Sequence, residues 1–210
     1  MEPAVHRDPL PAELELDGRR IAFREMAAGD RDAVLAFSQT LPEEDLLFLR
    51  LDITRPAVVD AWIEAIAAGK TRTVLALEDG HVLGYGSIHR SDTLWTRHVG
   101  EIRLLVGADA RGIGIGRQLA EHVFTFGRTL DLHKLVAQMM STQRDAQDLF
   151  HQLGFIPEAM LHDWVIDRNG RTHDLILMSR EVDGDALWEP TLADGHRWET
   201  APTPPSPPPR

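Results

Sequence analysis

The sequence predicts a mixed α/β domain in which a mostly antiparallel sheet is flanked by helices. Three observations carry this: two strand-like runs meeting at Asp79-Gly80, a strand–glycine turn–helix passage over residues 103–123, and a second strand pair turning at Asn169-Gly170. Dipeptides of that kind between alternating apolar runs are hairpin signals. The helix and strand that follow the glycine turn place a strand–helix–strand unit in the middle of the sheet.

The elements follow in order. "RIAFREM" (20–26) reads as a strand, after which Asp30 offers an N-cap to a helix with Val34, Phe37 and Leu41 on one side. A second helix is expected from Pro56, at a first-turn position, through Val59, Trp62, Ile63 and Ile66 to Gly69. "TVLALEDGHVLGYGSIHR" is the clearest hairpin, and "VGEIRLLVGAD" is a strand that runs into the glycines. The next helix carries Leu119, Val123, Phe126 and Leu130 at helical spacing. "HKLVAQMM" (133–140) is nearly all apolar, as in a strand covered on both faces. Thr142 and Asp145 then form a candidate capping box for a helix with Ala146, Leu149, Phe150 and Leu153 on one face, stopping at Gly154. The last strand pair lies in "EAMLHDWVIDRNGRTHDLILMSREV", and no internal repeat is present.

The ends read as tails, giving an N-terminal arm (1–17), one domain (18–183) and a Pro-rich C-terminal tail (184–210). The arm mixes acids with Pro3, Pro9 and Pro11 and shows no sustained period, so it is expected to be loosely attached. "APTPPSPPPR" favours polyproline II, an exposed extended segment that could also serve as a ligand for an aromatic groove. Trp188 and Trp198 could pin part of it to the body.

Composition narrows the function. At 210 residues and 43% hydrophobic, the chain can bury one substantial core. The formal charge of −11, from 33 acids against 22 bases, argues against a nucleic-acid binder that works by counterion release. With no cysteine there is neither a disulfide framework nor a thiolate metal site. No apolar run reaches membrane-spanning length and no signal-peptide core opens the sequence, so a soluble, cytoplasmic protein is expected.

The stretch "RLLVGADARGIGIGRQLAEHV" holds the chemistry. Gly112, Gly114 and Gly116 remove side chains ahead of a helix, so main-chain N–H groups can converge on an anion at its positive end. A dinucleotide fingerprint needs a further glycine where Arg117-Gln118-Leu119 stands, and a Walker loop needs a Gly-Lys-Ser/Thr ending. What remains, Arg111-Gly112-Ile113-Gly114-Ile115-Gly116, matches Arg/Gln-x-x-Gly-x-Gly/Ala.

With that hexapeptide, and with "AQDLFHQLGFIPEA" downstream of it, the chain resembles the GNAT superfamily of N-acetyltransferases over about residues 20–182. The resemblance implies the GNAT-like acyl-CoA N-acyltransferase fold and acetyl-CoA as co-substrate. Its pyrophosphate would be held by Arg111, Gly112, Ile113, Gly114, Ile115, Gly116 and Arg117, and its pantetheine arm would pair with the fourth strand at Leu104, Leu105 and Val106. The fourth and fifth strands would splay to admit it. No metal is implied. Gln143 stands where the family often has a cofactor-touching asparagine, and Phe150 where many members have a tyrosine that protonates the leaving thiolate. Phenylalanine donates no proton, so the thiolate would leave unassisted or with help from water or His151; the only tyrosine is Tyr85.

An acceptor amine of reference pKa ~10 must lose a proton to attack a thioester. Glu101, where several family members place a catalytic glutamate, is the first candidate base, its alternative being a solvated strand-end carboxylate; His98 and His89 come next. The acceptor pocket is expected from residues about 38–56 and 89–99, with Glu43, Glu44 and Asp45 able to attract a cationic acceptor such as a lysine side chain or a polyamine. The function expected is acetyl transfer to a primary amine, on a small molecule, a protein lysine or an N-terminus, by direct attack in a ternary complex. The alternative is a catalytically weak acyl-CoA-binding regulatory module. Partners would then be acetyl-CoA and the acceptor, with neither nucleic acid nor a membrane, and a homodimer stays open.

Overall fold

The computed structural model describes residues 10–47, 49–167 and 169–182. The Pro-rich tail with Trp188 and Trp198, the first nine residues of the arm and the side chain of Glu44 lie outside the described residues. The strands are β1 (Ala12–Leu16), β2 (Arg19–Glu25), β3 (Thr71–Glu78), β4 (His81–Arg90), β5 (Val99–Val106), β6 (Lys134–Met140), β7 (Ile156–Ile166) and β8 (Thr172–Glu181). The helices are α1 (Arg31–Thr40), α2 (Glu43–Leu47), α3 (Pro56–Ala67), α4 (Ile115–Thr129) and α5 (Arg144–Gln152). They form one sheet in the order β1-β2-β3-β4-β5-β6-β8-β7, antiparallel throughout except for the parallel pair β5–β6. That pair is the strand–helix–strand unit, with α4 as its crossover.

Both sheet faces are covered, and strand alternation divides the core into two. On one face Ile88 and Ile102 pack with Leu119, Val123 and Phe126 of α4. On the other, Leu75, Leu77 and Tyr85 pack with Val34 and Phe37 of α1 and Val59 and Trp62 of α3. Complete burial of a side chain such as Phe126 contributes about 1.5–3 kcal/mol. Gly86 lets α4 approach, since a Cβ there would meet Val123 Cγ2 at 2.8 Å and the Leu119 carbonyl at 3.2 Å.

Four local expectations change. Residues 12–16, read as part of a loose arm, form β1, paired with β2 from Ala12↔Phe23 to Leu16↔Arg19. Leu14 and Leu16 rest against the core, apolar alternation that the flanking prolines obscured. The strand that precedes the glycine loop is therefore the fifth, not the fourth. Asp30 stands at the start of α1 but makes no side-chain cap, because its carboxylate accepts from Arg24 (2.7 and 2.6 Å) and the Ala27 N–H (2.8 Å). The Thr142–Asp145 capping box is absent, and Gln143 occupies the N-cap of α5 without a side-chain cap bond. The last hairpin turns through a longer loop than Asn169-Gly170 alone, with the Asp167 carboxylate accepting from the Asn169 and Arg171 N–H groups at 2.8 and 3.0 Å. The Asp79-Gly80 turn, by contrast, has φ of 49° and 83°, the left-handed pair that a two-residue hairpin requires.

Candidate active site

Two features meet along β5. The first is the glycine loop. Gly112 and Gly114 have φ of 80° and 98°, where only glycine sits without strain, and a Cβ at either would project into open space. Gly114 is the N-cap of α4, which has no side-chain cap and no acid in its first turn. The first N–H groups of this 15-residue helix thus lack intrahelical partners at the positive end of its dipole. Ile115 anchors the helix start in the core at 1% exposure, and Ile113 packs against the same core. The two arginines of the loop are engaged with protein. Arg111 donates to Asp45 of α2 at 2.5 Å and to the Val106 carbonyl at 3.1 Å, and Arg117 pairs with Glu121 at 3.1 Å.

The second feature is a gap in the sheet. β5 and β6 pair from Val99↔Lys134 to Ile102↔Ala137 and no further, while β4 continues along β5 to Gly84↔Val106 and β8 along β6 to Met140↔Leu175. The main chain of Arg103, Leu104, Leu105 and Val106 is left without a strand partner on the β6 side. A cavity of about 410 Å³ opens there, walled by β5, β6, α5 and, across the sheet, by α3 and the segment before it. Leu104, Gln143 and Phe150 line it. The Gln143 side-chain oxygen accepts from the Met140 N–H at 2.9 Å, and Phe150 packs edge-on against Phe155, centroids 5.0 Å apart.

Side chains of β4 and β5 at alternate positions converge on the cavity. Tyr85 stands opposite Leu105, Ser87 opposite Arg103 and His89 opposite Glu101. The Glu101 carboxylate accepts from Arg103 Nε at 2.9 Å and from Arg50, and its side chain is 20% exposed. Burial alone would raise its pKa, but the hydrogen bond and charge of Arg103, joined by Arg50, hold it below the ordinary carboxylate value. Arg55 lines the same cavity, so the described lining holds three arginines and one carboxylate. The apolar wall is Ile53, Val58, Ala61, Trp62 and Ala65.

The ring nitrogens of His89 sit 3.0 Å from Thr71 Oγ1 and 2.9 Å from Ser87 Oγ. Burial, helped by Arg103, lowers its pKa to about 4. Between its ordinary value of 6.5 and about 4 the unfolded chain binds a proton that the folded chain refuses, so stability falls as pH drops through that window. In His89→Gln the loss of melting temperature between about pH 7 and about pH 4.5 is expected to be smaller than in the wild type. Equal losses in the two proteins would contradict this.

The sequence-selected residues therefore separate. Glu101 and His89 share the cavity. His98 lies exposed beside His133, ring centroids 5.9 Å apart, and is not among the lining residues; neither is the exposed His151. Of residues 89–99 only His89 lines the cavity, and Leu94 and Trp95 are 76% and 81% exposed. The segment expected at residues 89–99 leaves the sheet after Arg90 as an exposed loop. Glu43 and Asp45 do not face the cavity either. Sequence reading missed Arg50, Arg55 and Arg103, although Arg103 is two residues from Glu101 on the same strand face, a spacing that alternation makes visible.

Residues 39–155 match the model of the acetyltransferase (GNAT) family. The chain belongs to this family. An L-amino acid N-acyltransferase of Escherichia coli is 30% identical to this acetyltransferase over 124 residues, which cover 59% of this chain and 72% of that one. An acetyltransferase of Salmonella typhimurium, solved with its cofactor acetyl-CoA, is 25% identical with a TM-score of 0.68, over 79% of this chain and 96% of that chain. A ribosomal-protein-alanine N-acetyltransferase from Brucella melitensis is likewise 25% identical with a TM-score of 0.68, over 76% and 98%. This GNAT acetyltransferase takes acetyl-CoA as its co-substrate. Among the described residues no helix is long and apolar enough to cross a membrane.

Proposed function

We propose that the protein transfers the acetyl group of acetyl-CoA to the primary amine of a small carboxylate-bearing acceptor, an amino acid or a close analogue, by direct attack in a ternary complex. The observation that carries this reading is the charge of the cavity, where Arg50, Arg55 and Arg103 outnumber Glu101 in a chain whose overall charge is −11. Such a site attracts an anionic group and is ill suited to a cationic lysine side chain or polyamine. The apolar wall beside it has room for an aliphatic or aromatic side chain, and the similarity to the L-amino acid N-acyltransferase of Escherichia coli supports the same reading.

The roles follow from position. The uncapped start of α4 and the open glycines suit the pyrophosphate, and the unpaired β5 main chain from Arg103 to Leu105 suits the amide groups of the pantetheine arm. The Val106 carbonyl, already bonded to Arg111, holds the loop on the strand. Glu101, through a water, takes the proton that the amine sheds as the C–N bond forms.

A panel of L-amino acids and the amines that lack only the carboxylate tests the acceptor, with CoA thiol release as the signal and product mass as the identification. Amino acids are expected to give kcat/KM at least about tenfold above their decarboxylated partners, as a charge-assisted contact implies. Arg55→Gln is expected to narrow that preference by raising KM for the amino acid alone. Better turnover of the decarboxylated amines would overturn the acceptor assignment.

A further inference from the structure

A second cavity, of about 180 Å³, lies on the α4 face of the sheet, where the later turns of α4 pass the end of α5. Ile102, Ala120 and Phe155, all buried, give it an apolar side together with Leu153. Arg128 and Arg180 give it a cationic one, and both guanidiniums lie over the ring of Phe124, at 5.2 and 4.2 Å from its centre. Arg180 Nη1 donates to the Leu153 carbonyl, but neither arginine has a carboxylate partner among the described residues. The one carboxylate of the described lining, Glu121, already accepts from Arg117 at 3.1 Å. Burial, and then the Arg128 charge, lower the pKa of Arg180, as expected for a half-buried cation beside a like charge with no counter-ion.

This place is separate from the glycine loop. Arg128 stands about 21 Å along α4 from Gly114, at ~1.5 Å per residue, so a pyrophosphate at the helix N-terminus lies out of its reach. Between the two, α4 and α5 close on each other, since a Cβ at Gly116 would stand 3.4 Å from Leu149 Cδ2. The second cavity does share a wall with the acceptor cavity. Ile102 lines both, on the last rung at which β5 pairs with β6, and Phe155 of the second packs edge-on against Phe150 of the first.

We propose that the second cavity is a regulatory site for the reaction's own product, an N-acetyl amino acid, whose carboxylate bridges Arg128 and Arg180 while its apolar body rests on Leu153 and Phe155. The proposal rests on the amino-acid acceptor reading above. Acetylation turns the acceptor's ammonium into a neutral amide, so the product is an anion where the acceptor is a zwitterion. Two arginines with no unengaged carboxylate attract the first and repel the ammonium of the second. An occupant fixes Ile102 and Phe155 at the foot of the gap between β5 and β6, so turnover falls as product accumulates.

The test uses the full chain with its active cavity filled by CoA and L-leucine, a pair that cannot react, and calorimetry with N-acetyl-L-leucine. The wild type is expected to bind one equivalent. Arg128→Gln, at an exposed position in the last turn of α4, is expected to bind it about 10- to 100-fold more weakly, as loss of one charge-assisted contact implies. N-acetyl-L-leucinamide, which lacks the carboxylate, is expected to be equally weak on both proteins. In turnover assays N-acetyl-L-leucine is expected to lower kcat at saturating acceptor in the wild type but not in Arg128→Gln, whose kcat without product is unchanged. No binding to the wild type, equal affinity in the variant, or equal binding of the amide would overturn the site. Inorganic phosphate binding there as tightly would overturn the product assignment, because phosphate has no apolar body. Inhibition that is purely competitive with acceptor in both proteins would overturn the regulatory role. A wild type that binds acetyl-CoA but releases no thiol with any amino acid overturns the acceptor reading, a separate result because the calorimetry does not depend on turnover.

Discussion

Glu101→Gln lowers kcat by about 10²-fold, the lower end of what a positioned general base contributes. The reason for the lower end is its surroundings, since a carboxylate held by Arg103 and Arg50 is a weaker base than a lone one. The amide keeps the shape and one oxygen for hydrogen bonding, so acetyl-CoA affinity, measured by calorimetry, stays at the wild-type value. The pH dependence separates two titrations. Because the Glu101 pKa is depressed, the group stays ionised as pH falls until below the ordinary carboxylate range near ~4.3. The acid-side loss of kcat/KM above that belongs to the acceptor amine, of reference pKa ~10, and appears unchanged in Glu101→Gln. Wild-type turnover in the variant would transfer the role to His89 or bulk water, and lost acetyl-CoA affinity would make Glu101 a structural member of β5.

Gly114→Leu abolishes acetyl-CoA binding in a protein that still folds. At φ of 98° a side chain costs about 1–2 kcal/mol of backbone strain, but its Cβ has no heavy atom of another part of the protein within 4 Å, so the fold is expected to tolerate it. The same side chain fills the space in front of the α4 N-terminus. Displacing two N–H bonds to a charged diphosphate, at about 1.5–3 kcal/mol each, raises Kd by at least about 100-fold. Gly116→Ala is the control. Its Cβ would lie at contact distance from Leu149 Cδ2 (3.4 Å) and Val106 Cγ2 (3.7 Å) inside the first turn of α4, so both fold and affinity are expected to survive. Unchanged calorimetric affinity in a folded Gly114→Leu protein would remove the loop from the cofactor site.

Acetyl-CoA use and the fold were legible in the sequence for a specific reason. Both rest on local patterns: the Asp79-Gly80 turn, the hexapeptide from Arg111 to Gly116, and the apolar period of Leu119, Val123 and Phe126 lie within a few residues of the contacts they specify. The strand Ala12–Leu16 was hidden because its partner β2 recruits it through main-chain bonds that composition does not encode.

Apart from the short α2, the sequence by itself determined the order of the elements after β1, as well as the glycine loop and Glu101 and Phe150 as residues to examine. Only the tertiary structure decided what surrounds them. Arg50 stands 51 positions from Glu101, and Tyr85 is brought opposite Leu105 by the register of a hairpin and its neighbour. Asp45, from the acidic stretch that promised a cationic acceptor, pairs with Arg111, while three arginines from two segments line the cavity. Charge counted along a chain fixes the far field, but the ligand a pocket admits depends on which side chains the packed sheet and helices bring within a few ångströms of one another, where Coulomb interactions are strong and poorly screened.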